Sequence, residues 1–320
     1  GSASRVLNQA PTVTPELRER VERAIAELGY RPNHAARSLR LRSTRSIGCL
    51  LTDVANPLYG RLFHALEERL RSAGYLLLLA NSLNNAEREV EILQTFGDRG
   101  MDGLIVAPGN EGHAGVQAAL RALRRPTVIL DRDLAVPGCD RLQFDHAAGV
   151  RDVVAQLVQQ GHRAIGIVLG RAAIRPTRER LAGYRAGLAA HGLALRPELV
   201  LSLPDAMSSS YAEVRGMLQR PDRPSALLVL GTHILNEALS AIAALNLRIP
   251  QDISLVALGD PGFAAHYTPP LSALSLDVAL AADTVTRLLL ERIQGQAGGR
   301  ARQLQVPWHF VARDSCAPPV

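Results

Sequence analysis

The chain has 320 residues, 47% of them hydrophobic, and a formal net charge of +6; it has room for two or three domains, and no apolar run reaches membrane-spanning length. All 36 of its Lys and Arg positions are arginine, which excludes Schiff-base and lysine general-base chemistry and leaves guanidinium forks, or histidine, for any phosphate contact. Cys49, Cys139 and Cys316 are far apart and lack metal-site or redox spacing, so neither a disulfide framework nor a zinc site is expected, and a cytoplasmic location fits.

In chain order, residues 3–8 read as the tail of one helix and residues 15–28 as a second. Leu17, Val21, Ala24, Ile25 and Leu28 recur at helical spacing, Thr14 can cap the start, Pro15 suits the first turn and Gly29 ends it. Residues 31–45 follow, with five arginines and no acidic residue, and a short helix is predicted over 33–41. Residues 1–46 carry a net +5, so the remaining 274 contribute only +1. A basic head on a near-neutral body is the charge pattern of a protein that touches nucleic acid at one end.

From residue 46 the runs IGCLLT, YLLLLA, GLIVAP, TVIL, AIGIVL, ALLVL and ISLVAL alternate with amphipathic stretches at 57–73, 85–99, 146–160, 177–191 and 233–245. That alternation predicts an α/β fold of parallel strands covered on both faces, and so many units predict two similar lobes. No phosphate-binding loop, dinucleotide fingerprint, nucleophile elbow or metal-spaced cluster is present. Hence no catalytic residue, metal ligand or cofactor is nominated, and the chain is expected not to be an enzyme. His162, at a helix-to-strand turn, reads as a helix cap.

Segments running nearly end to end, among them SRVLN, ELRERVERAIAELGYRPNHAARSL, SIGCLLTDVANPLYGRL, VILDRDL, GHRAIGIVLG, RERLAGYRAGL and RIPQDISLVALGD, resemble the LacI/GalR family of bacterial transcriptional regulators. The resemblance implies a partial helix-turn-helix headpiece with a hinge helix over 1–45 and an effector-binding core over 46–320. That core is of the two-lobed periplasmic-binding-protein (type I) kind, with lobe 1 at about 46–144 and 277–304 and lobe 2 at about 145–276 and 305–320. SRVLN matches the end of the family's recognition helix, so the chain is expected to begin inside that helix, with about 15–20 residues upstream in the natural protein. A homodimer is also implied, with helix 57–73 and the surface around 85–99 as interface candidates.

Residue by residue, the resemblance implies DNA contacts from Arg5 and from the hinge residues Asn33, Ala36, Arg37, Leu39 and Arg40. Leu39 would wedge between base pairs, and Arg37 and Arg40 would reach phosphates of an operator duplex. It implies an effector site at Thr52, Asp53, Tyr59, Asp131, Arg180, Gly231 and Gly259, with Tyr59 stacking on the ligand, Asp131 accepting its hydroxyls and Arg180 gripping it. Two carboxylates usual in the family are replaced, at Gly259 and in the pair Gly231-Thr232. That leaves a pocket with Arg180, and with Arg132, Arg175 and Arg178 nearby in sequence, more positive. An anionic effector such as a sugar acid or sugar phosphate is therefore expected. The implied function is a ligand-responsive DNA-binding regulator, a repressor in kind. The alternative is a periplasmic-type solute-binding protein, which shares the core and lacks a DNA element.

Overall fold

The computed structural model describes residue 6 and residues 13–28, 43–170, 174–203, 209–231 and 234–319. The chain divides into two units, Gly1–Thr44 and Arg45–Val320.

In the first unit α1 spans Pro15–Glu27, with Pro15 in its first turn and the Thr14 side chain accepting from the Leu17 N–H at 3.4 Å. Leu17, Val21 and Ile25 form its half-buried stripe, whereas Leu28, predicted on that stripe, is exposed. Arg5, Asn33, Ala36, Arg37, Leu39 and Arg40 lie outside the described residues.

The second unit is built on eleven strands. In chain order they are β1 (Ser46–Leu51), β2 (Leu76–Asn81), β3 (Gly103–Ala107), β4 (Thr127–Leu130), β5 (Asp140–Asp145), β6 (Ile165–Leu169), β7 (Val200–Ser202), β8 (Ala226–Leu230), β9 (Ser254–Leu258), β10 (Ser272–Leu276) and β11 (Gln303–Val311). They lie in the order β2-β1-β3-β4-β5-β11-β10-β9-β8-β6-β7. Every pairing is parallel except that of β10 with β11. β11 joins two halves: Gln303–Pro307 run parallel to β5, and Trp308–Val311 run antiparallel to β10. The result is an α/β two-lobed fold on a mixed sheet.

Helices cover the strands: α2 (Pro57–Ser72), α3 (Ala86–Asp98), α4 (Ala114–Leu123), α5 (His146–Gln159), α6 (Arg175–Ala190), α7 (Tyr211–Leu218), α8 (Ile234–Ala244) and α9 (Val278–Ile293). Several start where a side-chain oxygen satisfies a free N–H of the first turn. Asn56 accepts from Leu58 N at 3.0 Å, Asn85 from Arg88 N at 2.8 Å, Asp145 from Ala148 N at 3.1 Å and Asp277 from Leu280 N at 2.8 Å. The central strands β1, β3, β4, β6, β8 and β9 are buried almost along their whole length, as expected for parallel strands covered on both faces.

The core falls into one cluster that runs through both halves, holding Leu62, Leu66, Phe144, Val153, Val285 and Trp308, and two peripheral ones. Leu93, Phe96 and Leu104 centre the peripheral cluster under α3 and α4; Val214, Ile234 and Leu255 centre the one under α7 and α8. α5 and α6 pack so closely that a Cβ on Gly183 would lie 2.3 Å from the Ala147 carbonyl oxygen. Asp140, fully buried, ties α9 and β11 to β5: Arg292 donates to it at 2.7 Å and Arg302 at 2.7 Å. His162, also buried, bonds the Ser225 hydroxyl at 2.9 Å just after α5, a structural place for it.

Candidate ligand-binding cleft

A cleft of about 190 Å³ opens at the carboxyl ends of strands from both halves of the sheet, the place where open α/β sheets put ligands. β1 supplies Thr52 and Asp53, β4 supplies Asp131 and Arg132, β6 supplies Gly170, β8 supplies Leu230 and Gly231, and β9 supplies Leu258. Tyr59 of α2 and Pro176, Thr177 and Arg180 of α6 close the sides.

Of the seven positions expected to hold an effector, six are therefore brought together: Thr52, Asp53, Tyr59, Asp131, Arg180 and Gly231. Gly259 is not on the wall. Its backbone turns at φ +88°, its N–H donates to the Leu274 carbonyl at 2.7 Å, and its own carbonyl accepts from Arg61 at 3.1 Å. Leu258 stands on the lining instead.

Asp131 sits at the end of β4 with φ +50°, a left-handed conformation that aspartate tolerates better than most residues. It is buried, and three donors converge on it: Arg175 Nη1 at 2.8 Å, His146 Nε2 at 2.8 Å and the Phe144 N–H at 3.2 Å. Burial alone would raise its pKa. His146, Arg132 and Arg175 outweigh that and hold the carboxyl below the usual range.

His146, at the start of α5, links two charged groups. Burial pushes its pKa down to about 4, Arg180 and Arg175 add to the shift, and Asp131 opposes it. The ring is thus neutral near pH 7. Arg180 Nε donates to Nδ1 at 3.2 Å, so the ring proton resides on Nε2 and faces Asp131. Arg180 also donates through Nη1 to the Leu230 carbonyl at 2.9 Å. Its enclosed position lowers its pKa to about 10, which leaves it fully cationic at neutral pH.

Arg132 is buried and gives its donors to Pro108 O, to Asp131 O at 3.0 Å and to the Tyr59 hydroxyl at 3.1 Å. The hydroxyl of Tyr59 is thereby held as an acceptor with its own proton still to donate. Arg175 and Arg178, expected near the pocket from sequence, do not line it. Arg175 reaches Asp131 from behind the wall, and Arg178 pairs with Glu111 at 2.8 Å and Asp133 at 3.7 Å.

Sequence reasoning missed His146 and Glu111. Glu111, buried in the loop after β3, accepts from the Arg175 N–H at 2.8 Å and the Asp133 N–H at 2.8 Å. A histidine at a strand-to-helix junction was a usable signal for His146, had β5 been read as a strand. A lone glutamate in a loop carries no such signal.

Among the described residues, no group of three or more His, Cys, Asp or Glu is placed to hold a metal ion, and no helix is long and apolar enough to cross a membrane.

Residues 2–33 match the family described as bacterial regulatory proteins, lacI family, and residues 154–316 match the periplasmic binding protein-like domain. The ribose operon repressor of Haemophilus influenzae is 31% identical over 294 residues, 92% of this chain and 88% of the relative. Among solved structures, the Lac repressor bound to ONPG in its repressed state superposes with a TM-score of 0.84 at 29% identity, over 98% of this chain and 94% of that one. The complex of the transcriptional regulator CelR with cellobiose gives 0.77 at 27% identity, again over 98% and 94%.

Proposed function

The chain belongs to the lacI family of bacterial regulatory proteins and is a ligand-responsive DNA-binding transcriptional regulator, not an enzyme, and on that premise we propose that its effector binds in the cleft at the strand ends. The observation that carries this reading is the make-up of the wall: strand ends from both halves of the sheet line one cleft together with Arg180. A ligand held there touches both halves at once, so its binding energy is coupled to their relative orientation.

Within this reading, Thr52, Asp53, Tyr59, Asp131, Arg180 and Gly231 contact the effector, and Gly259 acts through its backbone bond to Arg61. The lobe boundaries fall near residues 144, 276 and 304. Supporting them, β1–β5 pair among themselves, β6–β10 pair among themselves, and β11 divides between the two sets. Arg5 and the hinge residues Asn33, Ala36, Arg37, Leu39 and Arg40 contact operator DNA, and the protein works in the cytoplasm, where that DNA is. The chain acts as a homodimer, whose two headpieces read two half-sites. Support for a second copy comes from edge strand β2, where Leu76, Leu78 and Leu79 are 59%, 36% and 38% exposed. That is a poor surface to leave in water. A solute-binding protein with the same core leaves the lacI match of residues 2–33 unexplained.

A thermal-shift screen over sugars, sugar acids, sugar phosphates and nucleosides tests the cleft. A true effector at 100 times its Kd stabilises the fold by roughly 2.7 kcal/mol. Arg180→Met is expected to abolish that shift. A shift of undiminished size in the variant places the ligand elsewhere.

A further inference from the structure

We infer that Arg175, a residue outside the cleft wall, sets the charge of the effector: by pairing with Asp131, it leaves Arg132 and Arg180 on the wall with no carboxylate bonded to either, and the site selects a ligand bearing an anionic oxygen group over its neutral parent. The inference rests on the cleft being the effector site.

Three observations carry it. The first is the occupancy of Asp131. A carboxylate offers about four lone-pair directions, and three already accept, from Arg175, His146 and the Phe144 N–H. A sugar hydroxyl seeking this carboxylate must compete with a charge-assisted bond, roughly twice as strong as a neutral one. The Asp131 charge is matched by Arg175 before any ligand arrives.

The second is that Arg175 is fixed in that role. Its guanidinium is buried, and Nη1 also donates to the Phe144 carbonyl at 3.2 Å. Its backbone N–H, at the first residue of α6, is held by Glu111 Oε1 at 2.8 Å. Glu111 is itself buried and held by Asp133 N and Arg178. Release of Asp131 would leave this buried guanidinium only Glu179, 4.0 Å away, as a counter-charge, which is unfavourable.

The third is the state of the other two arginines. Arg132 bonds two carbonyls and a phenol, and Arg180 bonds a neutral imidazole and one carbonyl. Neither forms an ion pair with a carboxylate among the described residues. The remaining acid of the wall, Asp53, is half-buried, and its Oδ1 accepts from the Ala55 N–H at 3.0 Å. Arg180 retains Nη2 as a donor with no partner among the described residues. A carboxylate or phosphate oxygen supplies what both guanidiniums lack; a neutral hydroxyl does not.

Isothermal titration with matched probes tests this: ribose, ribonate and ribose 5-phosphate, and glucose, gluconate and glucose 6-phosphate. The wild-type protein is expected to bind an acid or phosphate ester more tightly than its neutral parent, and the two anionic arms separate carboxylate from phosphate. Arg175→Met leaves Asp131 unmatched and should cut the acid-to-neutral preference on the order of tenfold, the scale of one unit charge at a partly buried site. Arg175→Lys should keep it. Asp131→Asn should move the preference the other way, which preserves a reading where Arg175→Met fails to fold. A wild-type preference for the neutral parent, or a ratio unchanged in every folded variant, overturns the inference and leaves the effector site standing. A wild-type protein that binds no probe counts against both.

Discussion

Arg180 and His146 are joined by an Nε–H to Nδ1 hydrogen bond of 3.2 Å, and this bond turns a titratable histidine into a fixed neutral connector. With Nδ1 accepting, the Nε2 proton points to Asp131 at 2.8 Å. Protonation at Nδ1 would set two cationic donors against each other.

Stability should therefore fall on mild acidification. His146 has its pKa lowered from 6.5 to about 4 by burial and its arginine neighbours. Between those values the unfolded chain binds more protons than the folded one, so this contribution is complete above about pH 6.5 and is lost as pH falls toward 4. The contribution is on the order of 3 kcal/mol. Urea denaturation from pH 7 to 4 should show that slope in the wild type, and His146→Gln should flatten it. An equal slope in the two proteins rules out His146 as its source.

The junction of α5 and α6 should resist even one methyl group. At Gly183 a Cβ meets backbone of Ala147, which cannot swing aside, so Gly183→Ala should cost on the order of 1–3 kcal/mol or more. At Gly216, in α7, a Cβ meets nothing. Gly216→Ala should therefore stabilise by about 0.5–1 kcal/mol. Chemical denaturation of the two variants checks the contrast.

Much of this fold is legible in the sequence, and the exceptions have physical causes. β1, β3, β4, β6, β8 and β9 are continuous apolar runs because both their faces are buried, and each was readable as such. β5 (DRLQFD) and β11 (QLQVPWHFV) were not: polar residues interrupt both, and Pro307 stands where β11 changes partners. β10 (SALSL) hides behind its serines, one of which, Ser272, bonds the Arg313 carbonyl at 3.1 Å. In the cleft, Thr52 and Asp53 were readable from their place at a strand end, where such folds bind, whereas Tyr59, Asp131, Arg180 and Gly231 were nominated only through the family resemblance. The pairing of Arg175 with Asp131 was not, because nothing local connects residues 44 positions apart.

The proposed dimer should depend on β2. Sequence reasoning nominated helix 57–73 and the region 85–99; on the neighbouring edge strand three leucines, Leu76, Leu78 and Leu79, stand exposed close together. Each leucine buried in an interface contributes roughly 1.5–3 kcal/mol. Replacing Leu76 and Leu78 together by glutamate should give monomer in analytical ultracentrifugation at micromolar concentration, where the wild type sediments as dimer. A dimeric variant moves the interface off β2.

On the roles proposed for them, Leu39→Ala and Arg37→Ala should differ in kind. If Leu39 wedges between base pairs, its loss should lower specific affinity while non-specific binding holds. Loss of a phosphate contact should weaken all sequences alike and lower the salt slope by about 1. Binding titrations at several salt concentrations separate the two. Identical behaviour would contradict the division of roles.

The central claim, that a ligand in the cleft governs DNA binding, is tested most directly by fluorescence anisotropy of the protein on an operator selected from genomic DNA fragments. The titration is run with and without the compound that gives the largest thermal shift. The predicted result is sequence-specific binding whose Kd changes at least about tenfold, or roughly 1.4 kcal/mol of coupling, with the ligand. Arg180→Met should bind the same operator and lose the response. Operator affinity that stays the same while the ligand demonstrably occupies the cleft would contradict the account.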